Sequence, residues 1–511
     1  MSKFLLAIDV GTSALKAALF SQDGALIGAS TQSYEVYYPQ PGWVEQKPED
    51  WWRAACAAIR ALLHESGVSP PDIVGVGIDG QSWSCIPVRE DGAVLARTPI
   101  WMDTRAAGIC ERVVKSVGAE RIFSVAGNPF QPSYTTPKIL WFRENRPEVY
   151  RDAAFFLQSN SFIVHRLTGV FSQDICQGYG LHVFDMAHLC YDEPFARELG
   201  IDLRKLPPLY ACDQVVGGVT REAAALTGLR EGTPVVAGGL DAACGTLGAG
   251  VYKKGQTQEQ GGQAGGMSIC LSAPIADPAL ILSTHVIPGL WLLQGGTVGG
   301  GGSLNWMARE FAQPERERAK ATGGRMFSLL DELAESVPPG AEGVIFLPYL
   351  AGERSPIWDP NACGVFFGLS YDKSRAHFFR AALEGAAFAL RHNLEVAEHA
   401  GVPVEIMHAM GGAANSLLWT QIKADVTGKE ILVPDSDAAT VRGAAILAGV
   451  GVGVYAGFGE AVEKTVHFTR RHTPDESLAA VYEDAYQTYL EIYRRLKPVM
   501  AETAARRERV R

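Results

Sequence analysis

No uncharged stretch of the chain reaches the roughly 18 apolar residues that a membrane-spanning helix needs, so no membrane partner is expected. Basic residues are not in excess: the formal net charge is −10 over 511 residues. Without a positive field there are few counterions to release from a nucleic-acid backbone, and nucleic acid is not an expected partner. A few local N–H groups still suffice for a small phosphate ligand. The nine cysteines (Cys56, Cys85, Cys110, Cys176, Cys190, Cys212, Cys244, Cys270, Cys363) include no pair with metal-ligand spacing, and the histidines pair with neither one another nor cysteine. That argues against thiolate and imidazole metal centres and favours reduced, packed thiols in a cytosolic protein. Met1-Ser2-Lys3 runs straight into an apolar stretch without a signal-peptide pattern, so a cytoplasmic location is expected.

What is present describes an ordinary globular protein, 47% hydrophobic and 20% charged, long enough for two or more domains with substantial cores. The chain opens on an apolar run ending at Asp9, a small turn of Gly11, Thr12 and Ser13, then Lys16 and a second apolar run. This order predicts a β-hairpin whose turn offers N–H groups and two hydroxyls to an anion. The acid before the turn suits a hydrated Mg²⁺; an ordinary hairpin with a polar turn is the plainer alternative. Further along, the pattern predicts a strand over 26–38 with its approach to a loop, a helix over 51–65, and a buried strand over 74–78 ending at Asp79-Gly80-Gln81-Ser82-Trp83. Ile100-Trp101-Met102-Asp103-Thr104-Arg105 reads as another strand end, followed by helices over 104–117 and 138–143. Around Pro234 an apolar strand again ends in glycines and an acid, Asp241, and a domain boundary is placed near 247. The second half predicts strands over 290–294, 343–347 and 407–412. It also predicts helices over 303–311 (capped by Ser303), 326–336, 376–399, 417–427 and 478–497, then a frayed charged tail over 506–511.

Ligands of α/β sheets gather at the carboxyl ends of strands, which makes these acid-bearing edges site candidates. Asp241 can accept the proton of a bound hydroxyl, or cap the helical stretch that follows it. Gln81, Ser82, Trp83, Trp101 and Asp103 can line a polyhydroxylated ligand; both tryptophans can instead be core, and Asp103 can simply pair with Arg105. Three glycine turns, at 261–266 (with Gly262 and Gln263), 295–302 (with Gly299) and 411–412 (Gly411, Gly412), let backbone approach phosphate. None of the three carries the lysine and hydroxyl of a P-loop or the glycine spacing of a dinucleotide-binding turn. Several such turns spread over two similar halves favour a nucleotide held between two domains.

Ser133-Tyr134-Thr135-Thr136-Pro137-Lys138-Ile139-Leu140-Trp141-Phe142-Arg143-Glu144-Asn145 fits the first signature of the FGGY family of carbohydrate kinases. Gly364-Val365-Phe366-Phe367-Gly368-Leu369, followed by His377-Phe378 and Ala381-Ala382-Leu383-Glu384, fits the second, and nearly the whole chain resembles the family, within it the xylulokinases. Pro41-Gly42-Trp43-Val44-Glu45-Gln46, the segment 101–105 and Leu347-Pro348-Tyr349-Leu350-Ala351-Gly352-Glu353-Arg354-Ser355-Pro356 add to the xylulokinase likeness. The resemblance implies an α/β protein of two ribonuclease-H-like domains, of the actin-like ATPase type, with an interdomain cleft. Its divisions are an N-terminal sugar-binding domain over 1–247, a C-terminal nucleotide-binding domain over 248–475, and a helix with a charged tail over 476–511. It implies Asp241 as catalytic base, Asp9 and Asp241 as metal-linked carboxylates for Mg²⁺, and the stretch 9–16, including Lys16, as the first phosphate turn for ATP. Met410-Gly411-Gly412-Ala413-Ala414-Asn415 resembles an adenosine-binding turn. The implied partners are a small-molecule sugar and ATP, in a chain compatible with a homodimer, and the implied reaction is ATP-dependent phosphorylation of a ketopentose, first D-xylulose. Ribulose, L-xylulose, an erythritol-like polyol or a catalytically impaired binding homologue stand as alternatives. Two departures bear on this: Gly80-Gln81-Ser82-Trp83-Ser84 stands where xylulokinases carry Gly-Gln-Met-His-Gly, and Gly262-Gln263-Ala264-Gly265 where they carry Gly-Thr-Ser-Gly.

Overall fold

The computed structural model describes residues 3–436 and 438–508. Its first sheet is built from β1 (Phe4–Val10), β2 (Ala14–Ser21), β3 (Leu26–Ser33), β4 (Ile73–Gly80), β5 (Val215–Gly218), β6 (Pro234–Val236) and β7 (Gly239–Leu240). The order is β5-β6-β4-β1-β2-β3, with β7 continuing alongside β4. β1 is almost wholly buried on both faces, which explains why its sequence is an unbroken apolar run rather than an alternating one. The predicted hairpin forms: β1 and β2 run antiparallel, with Asp9 opposite Lys16. β4 and β6 then add in parallel on the other side.

The second sheet repeats this topology with β8 (Gln256–Gly261), β9 (Gly265–Leu271), β10 (Ile281–Thr284), β11 (Trp291–Thr297), β12 (Ile406–Met410), β13 (Ile431–Pro434) and β14 (Phe468–His472). Its order is β10-β11-β9-β8-β12-β13-β14. Again a central strand (β8) has an antiparallel hairpin partner on one side and two parallel strands on the other, closed by an antiparallel edge. Two copies of one mixed-sheet plan are the two ribonuclease-H-like domains expected of the chain.

Helices cover both sheets. α1 (Pro48–Ser66) starts with Pro48, Glu49 and Asp50 in its first turn and stops at Gly67 in the left-handed region, favourable residues at each end. It buries Trp51, Ile59 and Leu62 beneath the first sheet. α2 (Thr135–Asn145) carries the first signature. α3 (Asp241–Gly248) leaves the end of β7, α4 (Gly301–Phe311) follows β11, and α5 (Arg375–His399) is the long helix of the second domain. α6 (Ala439–Gly451) packs against α3 and reaches back to the first sheet. The crossing is glycine-thin: a Cβ on Gly248 would lie 1.8 Å from the Ala439 carbonyl oxygen, and one on Gly443 1.9 Å from that of Cys244. One continuous apolar core accordingly includes Leu5 of the first sheet, Leu247 of α3 and Leu447 of α6.

Several expectations shift. The strand expected over 26–38 ends at Ser33, where the edge loses its partner. The segment 100–105 is no strand end: pairing covers only Thr98–Pro99, and the following helix begins at Ala107 rather than 104. Ser303 does not cap α4; it lies inside the first turn, and Gly300 precedes the helix. The last helix, α7 (Ala479–Glu508), runs through Pro498 into the charged tail, held by Tyr482, Tyr486, Tyr489 and Met500 in the second domain's core. The rest of the tail, 509–511, lies outside the described residues. Gly75, Gly77 and Gly80 have dinucleotide-type spacing but stay within β4, where a Cβ on Gly77 would meet the Ala444 carbonyl at 1.9 Å.

Candidate active site

Strand pairing assembles the floor of the cleft. Asp9, the sixth residue of β1, is in register with Asp79 of β4, and Asp79 is in register with Gly239, two residues before Asp241. Three carboxylates therefore share one sheet edge. Asp9 and Asp241 are half-buried at the cleft, whereas Asp79 is fully buried and neither of its oxygens has a hydrogen-bond partner among the described residues. Burial raises the Asp9 carboxyl, while Asp79 and Lys16 pull it down. Burial, with Asp9 and Asp241 beside it, holds Asp79 well above the usual carboxylate range. Asp241 is pushed up to about 7 by burial and by Asp9, against the pull of the Ala242 N–H. Burial and mutual repulsion thus disfavour ionisation of these crowded carboxyls, a cost that a hard divalent cation would relieve. Oxygen-only donors fit Mg²⁺. Among the described residues no three acidic, histidine or cysteine side chains lie close enough to hold a metal directly, so the fit is to a hydrated ion.

Asp241 is also the first residue of α3, and its Oδ1 accepts from its own neighbour's N–H, Ala242, at 2.6 Å. The cap position itself is Leu240, without a side-chain cap bond, so Asp241 lies inside the first turn rather than serving as the expected N-cap. The cleft above has a volume of about 390 Å³ and draws lining from both domains. From the first come Asp9, Gly11, Thr12, Gln81, Ser82, Trp83, Trp101, Tyr179 and Asp241. Trp101 Nε1 donates to Thr12 Oγ1 (3.0 Å), Thr12 Oγ1 donates to Gln81 Oε1 (3.3 Å), and Gln46 Nε2 donates to the Thr12 carbonyl (2.8 Å). The first turn and the aromatic wall are therefore one hydrogen-bonded unit. Trp83 stacks on Tyr134 (4.2 Å between centroids) with Tyr179 beside it, and its Nε1 is buried without a partner among the described residues. Across the cleft, Gln258 Nε2 is likewise unpartnered. Both nitrogens are shielded from solvent rather than presented to the cleft, whose polar lining side chains include Gln81, Ser82 and Gln294.

Not every predicted residue joins this group. Asp103 is fully buried away from the cleft: its Oδ2 accepts from the Val44 N–H at 2.6 Å, and both its oxygens pair with Arg105. It is a structural anchor of the 101–105 segment, because every lone pair within reach is already engaged. Ser13 is exposed and Lys16 sits on β2 opposite Asp9; neither lines the cleft. Gln263 folds toward Gly302 at the start of α4, leaving Ala264 and Gly265 to face the cleft. Gly299 is packed, since a Cβ there would meet the Pro348 carbonyl at 2.3 Å. Gly412 has open space in front of it, and a Cβ on Gly262 would make only ordinary contact with the Ala264 carbonyl oxygen at 3.7 Å. Asn415 lies in an adjoining cavity of about 200 Å³, joined to the cleft through Met410 and also lined by Asp435 and Arg470.

Tyr179, Gln258, Gln294 and Arg354 are cleft residues that local sequence patterns do not single out as binding groups. Arg354 makes no salt bridge among the described residues and lies against Gly296, whose strand partner is Gly266 of the 261–266 turn. Only its place in the second domain brings it opposite Trp83, so no spacing in the chain announces it.

Residues 4–248 match the FGGY family of carbohydrate kinases, N-terminal domain, and residues 266–452 match the C-terminal domain of the same family. A xylulose kinase of Bacillus subtilis is 30% identical over 97% of this chain and 97% of its own length. A gluconokinase of Bacillus licheniformis is 29% identical with the same coverage of both chains. The crystal structure of a xylulose kinase from Rhodospirillum rubrum superposes with a TM-score of 0.89 at 30% identity, covering 98% of this chain and 100% of that one. With both family domains in order and relatives aligned end to end, the chain belongs to the FGGY family of carbohydrate kinases and is a sugar phosphotransferase.

Proposed function

We propose that the chain transfers the γ-phosphoryl group of ATP to a primary hydroxyl of a ketose or polyol, with D-xylulose the first candidate. The observation that carries this reading is the cleft floor, where Asp241 stands at the head of α3 beside Asp9, facing a wall of Gln81, Ser82, Trp83, Trp101 and Tyr179. In this reading Asp241 accepts the hydroxyl proton as the oxygen attacks the γ-phosphorus in line and the bridging oxygen of ADP leaves. Gly11 and Thr12 from one domain, and Gly262, Ala264, Gly265 and the N-terminus of α4 from the other, face the phosphates. Asn415 with Gly411 and Gly412 lies on the nucleoside side. Asp9, with Asp241, holds Mg²⁺ through water; when bound, the ion neutralises phosphate charge. Most of the acceleration then comes from positioning two substrates and excluding water.

A sugar acid is the second reading, favoured by one observation: Arg354 offers a guanidinium to the cleft that no carboxylate of the described residues pairs with. The gluconokinase similarity points the same way. Steady-state kcat/KM over a panel of pentuloses, hexuloses, polyols and gluconate, with Mg·ATP, tests both. Highest kcat/KM for a ketose or polyol supports the first, highest for gluconate the second, and no turnover with any member overturns both.

A further inference from the structure

The first signature, Ser133–Asn145 in the chain, contributes no side chain to the cleft lining, yet it holds one of the largest fully buried side chains, Lys138. Its Nζ donates to three carbonyl oxygens: Trp83 at 2.9 Å, Ile100 at 2.8 Å and Ser133 at 2.5 Å. An ammonium has three N–H donors and no lone pair, so three acceptors saturate it; a neutral amine would turn its lone pair on one of those carbonyls. The three carbonyls belong to three separate segments. One carries Trp83 itself, one leads directly into Trp101, and one leads directly into Tyr134, on which Trp83 stacks. Trp83 also has φ +58°, a backbone conformation unfavourable for a bulky residue that persists only when its surroundings hold it.

We propose that Lys138 is a positioning residue for the sugar: its ammonium fixes the Trp83, Trp101 and Tyr134 segments in the arrangement that receives the substrate. The inference rests on the reading of this wall as the sugar site. Lys138 touches neither substrate; it acts through three backbone carbonyls.

Burial pulls Lys138 down to about 7, while Asp103 and Cys85 hold it up and Arg105 pushes it down further. Deprotonation removes a donor and sets a lone pair against a carbonyl, so sugar affinity is expected to fall as pH rises past neutrality. Global unfolding does not account for such a loss. A lysine held below its ordinary value of 10.5 leaves the unfolded chain with more bound protons in that window, and its contribution to stability rises with pH there.

The test uses the full-length protein and the best substrate of the panel. In wild type, KM for the sugar is expected to rise at least tenfold between pH 6.5 and 9.5, with KM for ATP unchanged and the near-UV aromatic circular dichroism changing over the same range. Lys138→Met is expected to raise KM for the sugar on the order of 10²-fold at pH 6.5, the size of one lost hydrogen bond to a charged group, to leave KM for ATP within twofold, and to abolish the pH dependence. Sugar KM and aromatic signal both flat with pH in wild type would overturn the proposal, whether or not the variant folds. Parallel changes in both KM values would overturn it too, because they mark general damage. The aromatic signal needs no substrate, so it still decides the matter if the panel finds no phosphoryl acceptor.

Discussion

Asp9, Asp79 and Asp241 share a sheet edge where Lys16, opposite Asp9, is a neighbouring cation, and that crowding sets each carboxyl in a different environment. Asp79 is sealed beneath the other two and burial holds its carboxyl well above the usual carboxylate range, whereas Asp241 faces the cleft and is pushed up to about 7. A base in that position is useful only where a hydroxyl can reach it. Asp241→Asn keeps the head of α3 and is expected to lower kcat by a factor on the order of 10² or more, with ATP affinity by calorimetry unchanged. Near-normal turnover would remove the carboxylate from the chemistry. Trp83 decides a different property. Its indole fills the space next to Tyr179 and Tyr134, and Trp83→His is expected to shift relative kcat/KM toward D-xylulose; an unchanged substrate profile would remove Trp83 from substrate selection. Asp9, Asp241, Gln81 and Trp101 were legible in the sequence because each sits at or near the end of an apolar run. Asp103 sits in similar company, but only the fold shows that Val44 and Arg105 consume its oxygens. Arg354 and Gln258 were not legible as binding groups, because they reach the cleft through long-range packing.

α3 and α6 cross where two glycines replace side chains, so backbone meets backbone between the domains. Asp241 is the first residue of α3, and any widening of this crossing moves it. Gly443→Ala places a methyl group where only 1.9 Å separates it from the Cys244 carbonyl oxygen. It is expected to cost about 1–3 kcal/mol of stability, as overpacking does, and to lower kcat while leaving Asp241 chemically intact. Thermal unfolding and kcat measured together check this; wild-type values for both would mean the helices can separate without consequence. Helices with strong periodicity and clear ends, such as α1 and α5, were legible to within a few residues. The short segments were not, since two-residue pairings such as Thr98–Pro99 are set by their partner, Glu45–Gln46, rather than by their own composition.

Two sheets with one topology face each other across the cleft, and the first glycine-rich turn of each projects toward the other. The Asp9–Lys16 hairpin turn is the first domain's contribution, and the 261–266 turn, backed by α4, is the second's. A shared core through α3 and α6 ties the domains together. The glycine turns spread over two similar halves were a legible sign of this duplication, whereas the opening pattern that returns near 234 belongs to the first sheet as β6 and β7. How the copies face each other was not legible, because it depends on the glycine-thin helix crossing. The decisive measurement is ³¹P nuclear magnetic resonance of the protein with Mg·ATP and the sugar panel. A phosphomonoester resonance growing in step with ADP, with little inorganic phosphate, is the predicted result. ATP consumed only to inorganic phosphate, or no phosphomonoester with any panel member, would contradict it.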